Sequence, residues 1–264
     1  MTVMDFKIET YAQYASRGEQ PDILFWVGCA GSFDERAQKI TKAVAKILHH
    51  AGVRFAVLGT EESCNGDPAK RAGNEFLYQM QAMTNIRTLN NYGVKKIVTA
   101  CPHCFNILKN EYPELGGNYE VIHHTQLLQQ LIDDGKLIVS GGKFEGKKIT
   151  FHDPCYLGRG NNVYEAPRAV IEKLDIELSE MKRSRSKGFC CGAGGAQMFK
   201  EPEKGNRDVN VERTEEALAL KPDIIAVGCP FCTTMMTDGV KNFNMEEEVK
   251  VLDVAELIMM ANDL

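Results

Sequence analysis

The same cysteine spacing occurs twice in this chain, once in each half, and a doubled pattern of this kind calls for two copies of one structural unit. In the first half Cys29 is followed by Cys64-Asn65-Gly66 and then by Cys101-Pro102-His103-Cys104. In the second, Cys155 is followed by Cys190-Cys191-Gly192 and then by Cys229-Pro230-Phe231-Cys232. In both halves 34 residues separate the first element from the second; the next gap, counted from Cys64 and from Cys190, is 36 residues in one and 38 in the other. The nine cysteines divide into a set of four and a set of five, with none left over.

Three chemistries compete for so many thiols. Disulfides belong to oxidising compartments, but the count is odd and the opening residues, Met-Thr-Val-Met-Asp-Phe-Lys, have neither the basic start nor the apolar run of a signal peptide. A cytoplasmic protein is expected from this. Buried cysteines acting as small apolar side chains explain one or two isolated thiols, not a doubled pattern. Ligation of a metal or cluster accounts for all nine.

At 264 residues the chain has ample core for two similar halves, and a net charge of -5 with mixed signs gives no nucleic-acid signature. No apolar stretch approaches the roughly 18 residues of a membrane span. The one local charge cluster, Lys182-Arg183-Ser184-Arg185-Ser186-Lys187, stands just ahead of Cys190. It reads as a solvated loop, with docking of an acidic partner as the sharper alternative.

Apolar runs alternate with amphipathic stretches throughout. Ile23 to Gly28 reads as a strand, and Ser32 with Glu35 as a capping box opening a helix that carries Ile40, Val44, Ile47 and Leu48 and closes at Gly52. A strand from Val53 to Leu58 leads to the Cys64 loop, and Phe76, Leu77, Met80 and Met83 mark the next helix. A third strand, Val94 to Ala100, delivers Cys101, with Pro102 suited to a first helical turn. A fourth, Tyr119 to Ile122, precedes a helix around Leu127 to Ile132. The order then repeats, with strands at Lys148 to His152, Ile176 to Met181, Ile224 to Gly228 and Val249 to Leu252. Helices fall at Val163 to Leu174, Val209 to Leu220 and Val254 to Met260. This rhythm predicts an α/β fold of two tandem, pseudo-symmetric Rossmann-like repeats, residues 1–140 and 141–264, with parallel sheets and helices on both faces. The linker is expected at Asp133 to Gly146, which holds four glycines. In such a sheet the strand C-termini form the natural site, so Cys29 with Cys101, and Cys155 with Cys229, are expected to converge at one rim, where helix N-termini favour an anionic thiolate group.

These residues resemble the cysteine-rich CCG domain proteins, iron–sulfur subunits similar to the catalytic subunit of heterodisulfide reductase and to glycolate oxidase and lactate-utilisation subunits. The resemblance runs from Val27-Gly28-Cys29 through His152-Asp153-Pro154-Cys155-Tyr156-Leu157-Gly158-Arg159 to Cys229-Pro230-Phe231-Cys232. It implies a non-cubane [4Fe-4S] cluster held by Cys155, Cys190, Cys191, Cys229 and Cys232, with chemistry centred on Cys190 and Cys191. The first half departs from the family motif, because Asn65 stands where the second cysteine of the pair belongs. Cys29, Cys64, Cys101 and Cys104 suffice for a [4Fe-4S] cubane or a tetrahedral zinc site.

His152 beside Cys155 is a candidate proton donor, weighed against a polar strand end; His103, inside the first Cys-x-x-Cys, is another. His123-His124 reads as a strand terminus. The Gly-rich stretch after Cys191 is a weak nucleotide loop, since it follows a basic loop and not a clear strand. The expected function is an iron–sulfur oxidoreductase subunit passing electrons between a partner redox protein and a disulfide, quinone or other carrier; the alternative is a zinc- or cluster-bearing scaffold. Lacking a convincing flavin or nicotinamide site, the chain is expected to need a ferredoxin-like or flavoprotein partner, with a place in the cytoplasm beside a membrane-bound redox complex.

Overall fold

Each half forms a four-stranded parallel sheet, and the two sheets have the same strand order. In the computed structural model, which describes residues 6–139, 142–201 and 204–264, β1 (Ile23–Trp26), β2 (Phe55–Ala56), β3 (Lys96–Thr99) and β4 (Glu120–His123) lie in the order β2-β1-β3-β4. β5 (Lys148–Phe151), β6 (Glu177–Leu178), β7 (Ile224–Val227) and β8 (Lys250–Asp253) lie in the order β6-β5-β7-β8. The central registers match, Leu24 opposite Ile97 in one sheet and Ile149 opposite Ile224 in the other. The chain leaves each central strand in one direction and returns on its other side, so a crevice opens at the C-terminal ends of β1 and β3, and of β5 and β7.

Twelve α-helices connect and cover the strands among the described residues: α1 (Tyr11–Ser16), α2 (Gly28–Phe33), α3 (Glu35–His50), α4 (Asp67–Arg71), α5 (Glu75–Asn91), α6 (Pro102–Asn106), α7 (His124–Asp133), α8 (Gly158–Asn161), α9 (Glu165–Glu172), α10 (Val209–Leu218), α11 (Pro230–Asn242) and α12 (Val254–Ala261). One apolar core lies between the sheets and is shared by both halves; it joins Ile40, Ile47 and Leu48 of α3 and Leu128 of α7 to Val170 of α9 and Leu257 of α12. The outer face of the first sheet carries its own core around Trp26, Tyr78 and Leu108, and that of the second around Ile225, Met236 and Val240. Across the seam Arg36 donates twice to Glu256, at 2.7 Å each, and His124 Nε2 lies 2.9 Å from Asp253 Oδ1. The expected linker is built into this core, since Leu137 and Phe144 are buried. Its Gly141, and the expected boundary between 140 and 141, lie outside the described residues, as do the first five residues of the N-terminus.

Two local expectations fail for identifiable reasons. Ser32 does not cap the long first-half helix, because the chain turns into α2 directly after β1 and the Ser32 hydroxyl donates to Gly28 O at 2.9 Å. Asp34 is the extended residue at that start, and its Oδ1 accepts the Ala37 N–H at 2.7 Å. In α5 the buried face is Tyr78, Ala82, Asn85, Ile86 and Leu89. Phe76 and Met80, the large side chains picked from sequence, are 77% and 53% exposed on the opposite side. Both faces of this helix carry apolar residues at helical spacing, so periodicity alone does not say which one the sheet covers.

Candidate cysteine-rich redox site

All nine cysteines lie on loops or helix starts at the C-terminal ends of the strands, and all are free thiols. Cys29 follows β1 inside α2, and Cys155 occupies the turn after β5. Cys101 and Cys229 are the residues before the first turns of α6 and α11, each followed by proline at the first helical position. Cys64 and Cys190 sit in the loops after β2 and β6.

In the second half, Cys155 is in hydrogen-bond contact with Cys190, Cys190 with Cys191, and Cys232 with both Cys191 and Cys229. The Cys191 and Cys232 sulfurs are 3.3 Å apart, far beyond a disulfide bond of about 2.05 Å. In the first half, Cys29 contacts Cys64 and Cys101 contacts Cys104. One further contact was not legible in the sequence: Cys101 of the first half touches Cys229 of the second. The two thiol sets therefore adjoin.

The thiols shift one another strongly. Hydrogen bonds from Cys155 and Cys191 hold Cys190 far below the usual thiol range, aided by the Gly192 N–H at 3.2 Å from its sulfur. Cys155 is pushed up by the same contact and by burial. A hydrogen bond from Cys29 holds Cys64 at about 7. Burial raises Cys101, but hydrogen bonds from Cys104 and Cys229 outweigh it and leave this thiol well lowered. Cys104, Cys229 and Cys232 are held high. Thiolates concentrated in this way release their remaining protons on binding a cation-rich centre.

His152 is completely buried and is kept neutral, its pKa lowered to about 3 by burial and by the Arg213 cation. Arg213 is also fully buried; its Nε–H donates to His152 Nδ1 at 3.0 Å, so the imidazole proton resides on Nε2. That Nε2 has no partner among the described residues. A ligand atom of His152 lies within 4.8 Å of the Cys191 and Cys232 sulfurs. A buried N–H left without an acceptor, on a ring beside two cysteine sulfurs, matches a sulfide- or thiolate-rich group seated near them. The clustered thiols and this unpartnered N–H thus fit an iron–sulfur centre.

The sequence pointed to His103 but not to the partners that hold the surroundings of these thiols in place. Asp153 accepts a two-pronged bond from buried Arg168, at 2.8 and 2.9 Å, and accepts the Arg185 N–H at 2.7 Å, which ties the loop before Cys190 to the strand end before Cys155. His103 lies 2.9 Å from Asp67, and its ring packs on Tyr156 at 4.4 Å and on Phe231 at 5.3 Å, bridging the halves beside both Cys-x-x-Cys turns. Lone charged residues on otherwise apolar helix faces, such as Arg168 and Arg213, were the available signal. The basic segment is largely engaged internally: Arg183 pairs with Glu212 and Glu216 and stacks on Phe189, and Arg185 pairs with Glu165. His123 does end a strand, while His124 opens α7; the two rings contact each other, and His124 joins the halves through Asp253.

The model of the CCG cysteine-rich domain matches twice, at residues 23–109 and 149–237. The chain belongs to this family. It is similar to the probable iron-sulfur-binding oxidoreductase FadF of Bacillus subtilis, 49% identical over 96% of this chain and 36% of that protein. It is 47% identical to the EtfAB:quinone oxidoreductase of Syntrophomonas wolfei over 92% of this chain and 35% of the relative. With one subunit of the dihydromethanophenazine:CoB--CoM heterodisulfide reductase of Methanosarcina barkeri it shares 34% identity over 92% of this chain and 59% of the relative. The chain thus spans between about a third and three fifths of the length of these relatives, and in each the matched CCG region is part of a longer polypeptide. The two regions matched by the family model contain all nine cysteines, and no helix among the described residues is long and apolar enough to cross a membrane.

Proposed function

We propose that this chain is the iron–sulfur electron-transfer module of a larger oxidoreductase, moving electrons between a partner redox protein and a small oxidisable or reducible carrier. The observation that carries this reading is the continuous line of thiol contacts from Cys155 through Cys190, Cys191, Cys232 and Cys229 to Cys101 and Cys104. Two adjoining thiolate sets suit passage of electrons between centres; a scaffold needs no such adjacency. The names of the relatives, an iron–sulfur oxidoreductase, a quinone oxidoreductase and part of a heterodisulfide reductase, support the same class.

In this reading Cys155, Cys190, Cys191, Cys229 and Cys232 hold a [4Fe-4S] cluster, of the non-cubane type that the resemblance to the CCG family implies, and Cys29, Cys64, Cys101 and Cys104 hold a cubane cluster or zinc. A bound cluster supplies one-electron chemistry that no side chain provides. The protein excludes water from the inner sulfurs, since Cys101, Cys104, Cys191, Cys229 and Cys232 are buried. It holds a proton at His152 Nε2 through Arg213 and fixes the Cys190 loop through Asp153. A flavoprotein or ferredoxin-like partner brings the electrons, and the module sits on the cytoplasmic side of a redox complex.

Anaerobic purification with iron, sulfide and zinc analysis tests this. Iron with acid-labile sulfide and a brown colour is the expected result. A protein that holds zinc alone, and takes up no sulfide on reconstitution, is a scaffold and ends the redox reading.

A further inference from the structure

The groove beside Cys29 has a chemical character that selects among the carriers left open above. A cavity of about 330 Å³ lies between the halves, with Cys29, Phe33 and Asp34 on one wall and Met198, Phe199 and Phe231 on the other. Phe33 is 87% exposed and Phe199 63% exposed, while Phe199 meets Phe231 edge-on with ring centroids 6.2 Å apart. Large apolar rings left bare around a concave site gain from an apolar occupant. Met198 and Phe199 follow Ala196, a non-glycine residue in the left-handed region at φ 61°, a conformation that costs about 1 kcal/mol or more. Beyond Phe33 a second cavity of about 480 Å³ continues along Cys29 and Cys64.

Charge narrows the occupant. Among the described residues no lysine, arginine or histidine lines the first cavity, and its one carboxylate is that of Asp34. A disulfide or dinucleotide carrying carboxylate, sulfonate or phosphate groups would lose solvation there with no cation to compensate and would face a like charge. An uncharged planar ring loses nothing of the kind, and the volume suits a bicyclic one.

We propose that this groove binds the neutral ring of a quinone against Cys29, edge-to-face with Phe33, Phe199 and Phe231, its substituent running past Phe33 into the second cavity. This rests on the electron-transfer reading and names its small-molecule carrier. Reduction of the ring to the quinol takes two electrons from the reduced partner protein and two protons from water, and no bond to the protein forms. The carrier therefore meets the first-half thiols, at Cys29, and reaches the second half through Phe231.

Anaerobic equilibrium dialysis with a naphthoquinone methylated at both free ring carbons, so that Cys29 cannot add to it, measures binding without turnover. Saturable binding of one ring per chain is expected, weakened at least about tenfold in the Phe33→Ser/Phe199→Ser double variant with iron, sulfide and zinc content unchanged. Thr234→Lys, which puts a cation on the wall, should weaken the ring and admit an aromatic disulfide bearing carboxylates. Equal affinity in the double variant overturns the proposal, as does displacement of the ring from the unaltered protein by that anionic disulfide. Metal analysis on the same samples separates the two readings: a cluster-bearing protein indifferent to the ring loses only the groove, whereas a zinc protein that binds the ring keeps the groove and loses electron transfer.

Discussion

Cys64-Asn65-Gly66 and Cys190-Cys191-Gly192 occupy equivalent loops, and their backbones agree where their chemistry differs. Gly66 and Gly192 both sit in the left-handed region, at φ 94° and 93°. A Cβ on Gly66 would come within 2.7 Å of the Tyr78 ring, and one on Gly192 within 3.2 Å of Val209. Each loop gives the glycine N–H to the cysteine two positions before it, Cys64 or Cys190, and adds to the lowering of each thiol by its cysteine partner, Cys29 or Cys155. Between them, Cys191 turns inward to Cys232, whereas the Asn65 side-chain Oδ1 accepts the Asp67 N–H at 2.8 Å at the start of α4. The repeat thus keeps its turn and exchanges a thiol for a local hydrogen bond. The loop conformation is set by glycine, and the number of thiols by the single residue before it.

Cys191→Ser should give the largest effect, removing the ligand that separates the halves. Iron and sulfide should fall by the content of one [4Fe-4S] cluster, the second-half signal disappearing from the electron paramagnetic resonance spectrum. Retention of that signal would show that Cys191 is not a ligand. Next is Arg213→Met, which leaves His152 without its fixed tautomer and Glu216 without one of its partners. A loss of about 2 kcal/mol is expected, read as a drop of several degrees in melting temperature, with the metal content of the first half unaltered. An equal disturbance of both sites would contradict the assignment of Arg213 to the second half alone. Asn65→Cys should cost about 1 kcal/mol by deleting the turn at α4, while the second-half spectrum stays intact. A changed second-half spectrum in this variant would mean that the two centres share more than the Cys101–Cys229 contact.

The smallest effects test the loops and faces that the two halves do not share. Arg183→Glu should lower stability by no more than about 1 kcal/mol, since its pairs with Glu212 and Glu216 are partly solvated. Lys182→Glu should leave the melting temperature unchanged, as should Phe76→Ser on the bare side of α5, a face with no counterpart in the second half. A marked destabilisation by Phe76→Ser in thermal unfolding would show that this face is covered.

Much of this arrangement was legible in the chain itself. The nine cysteines, their division into four and five, and the placement of each after a strand follow from spacing, because strand and helix periods are local and cysteines at strand ends have one place to go. The eight strands fall where the apolar runs lie, although β2 and β6 shrink to two residues each at the sheet edge. The misreadings were also local: Ser32 lost its capping role to the nearby Asp34, and α5 showed two apolar faces of which the sheet covers one.

The sequence by itself determined the repeat, the α/β class and the two thiol sets. Only the tertiary structure decided how those sets meet. Cys101 touches Cys229 and His103 packs on Tyr156 and Phe231 because α3, α7, α9 and α12 share one core and bring the two crevices face to face. The partner of His152 is Arg213, a cation 61 residues away, drawn in because a buried imidazole needs a donor and a buried guanidinium needs acceptors. Such pairings leave no period in the chain: each depends on the packing of elements distant in sequence, whereas the cysteines themselves are placed by turns that each half builds alone.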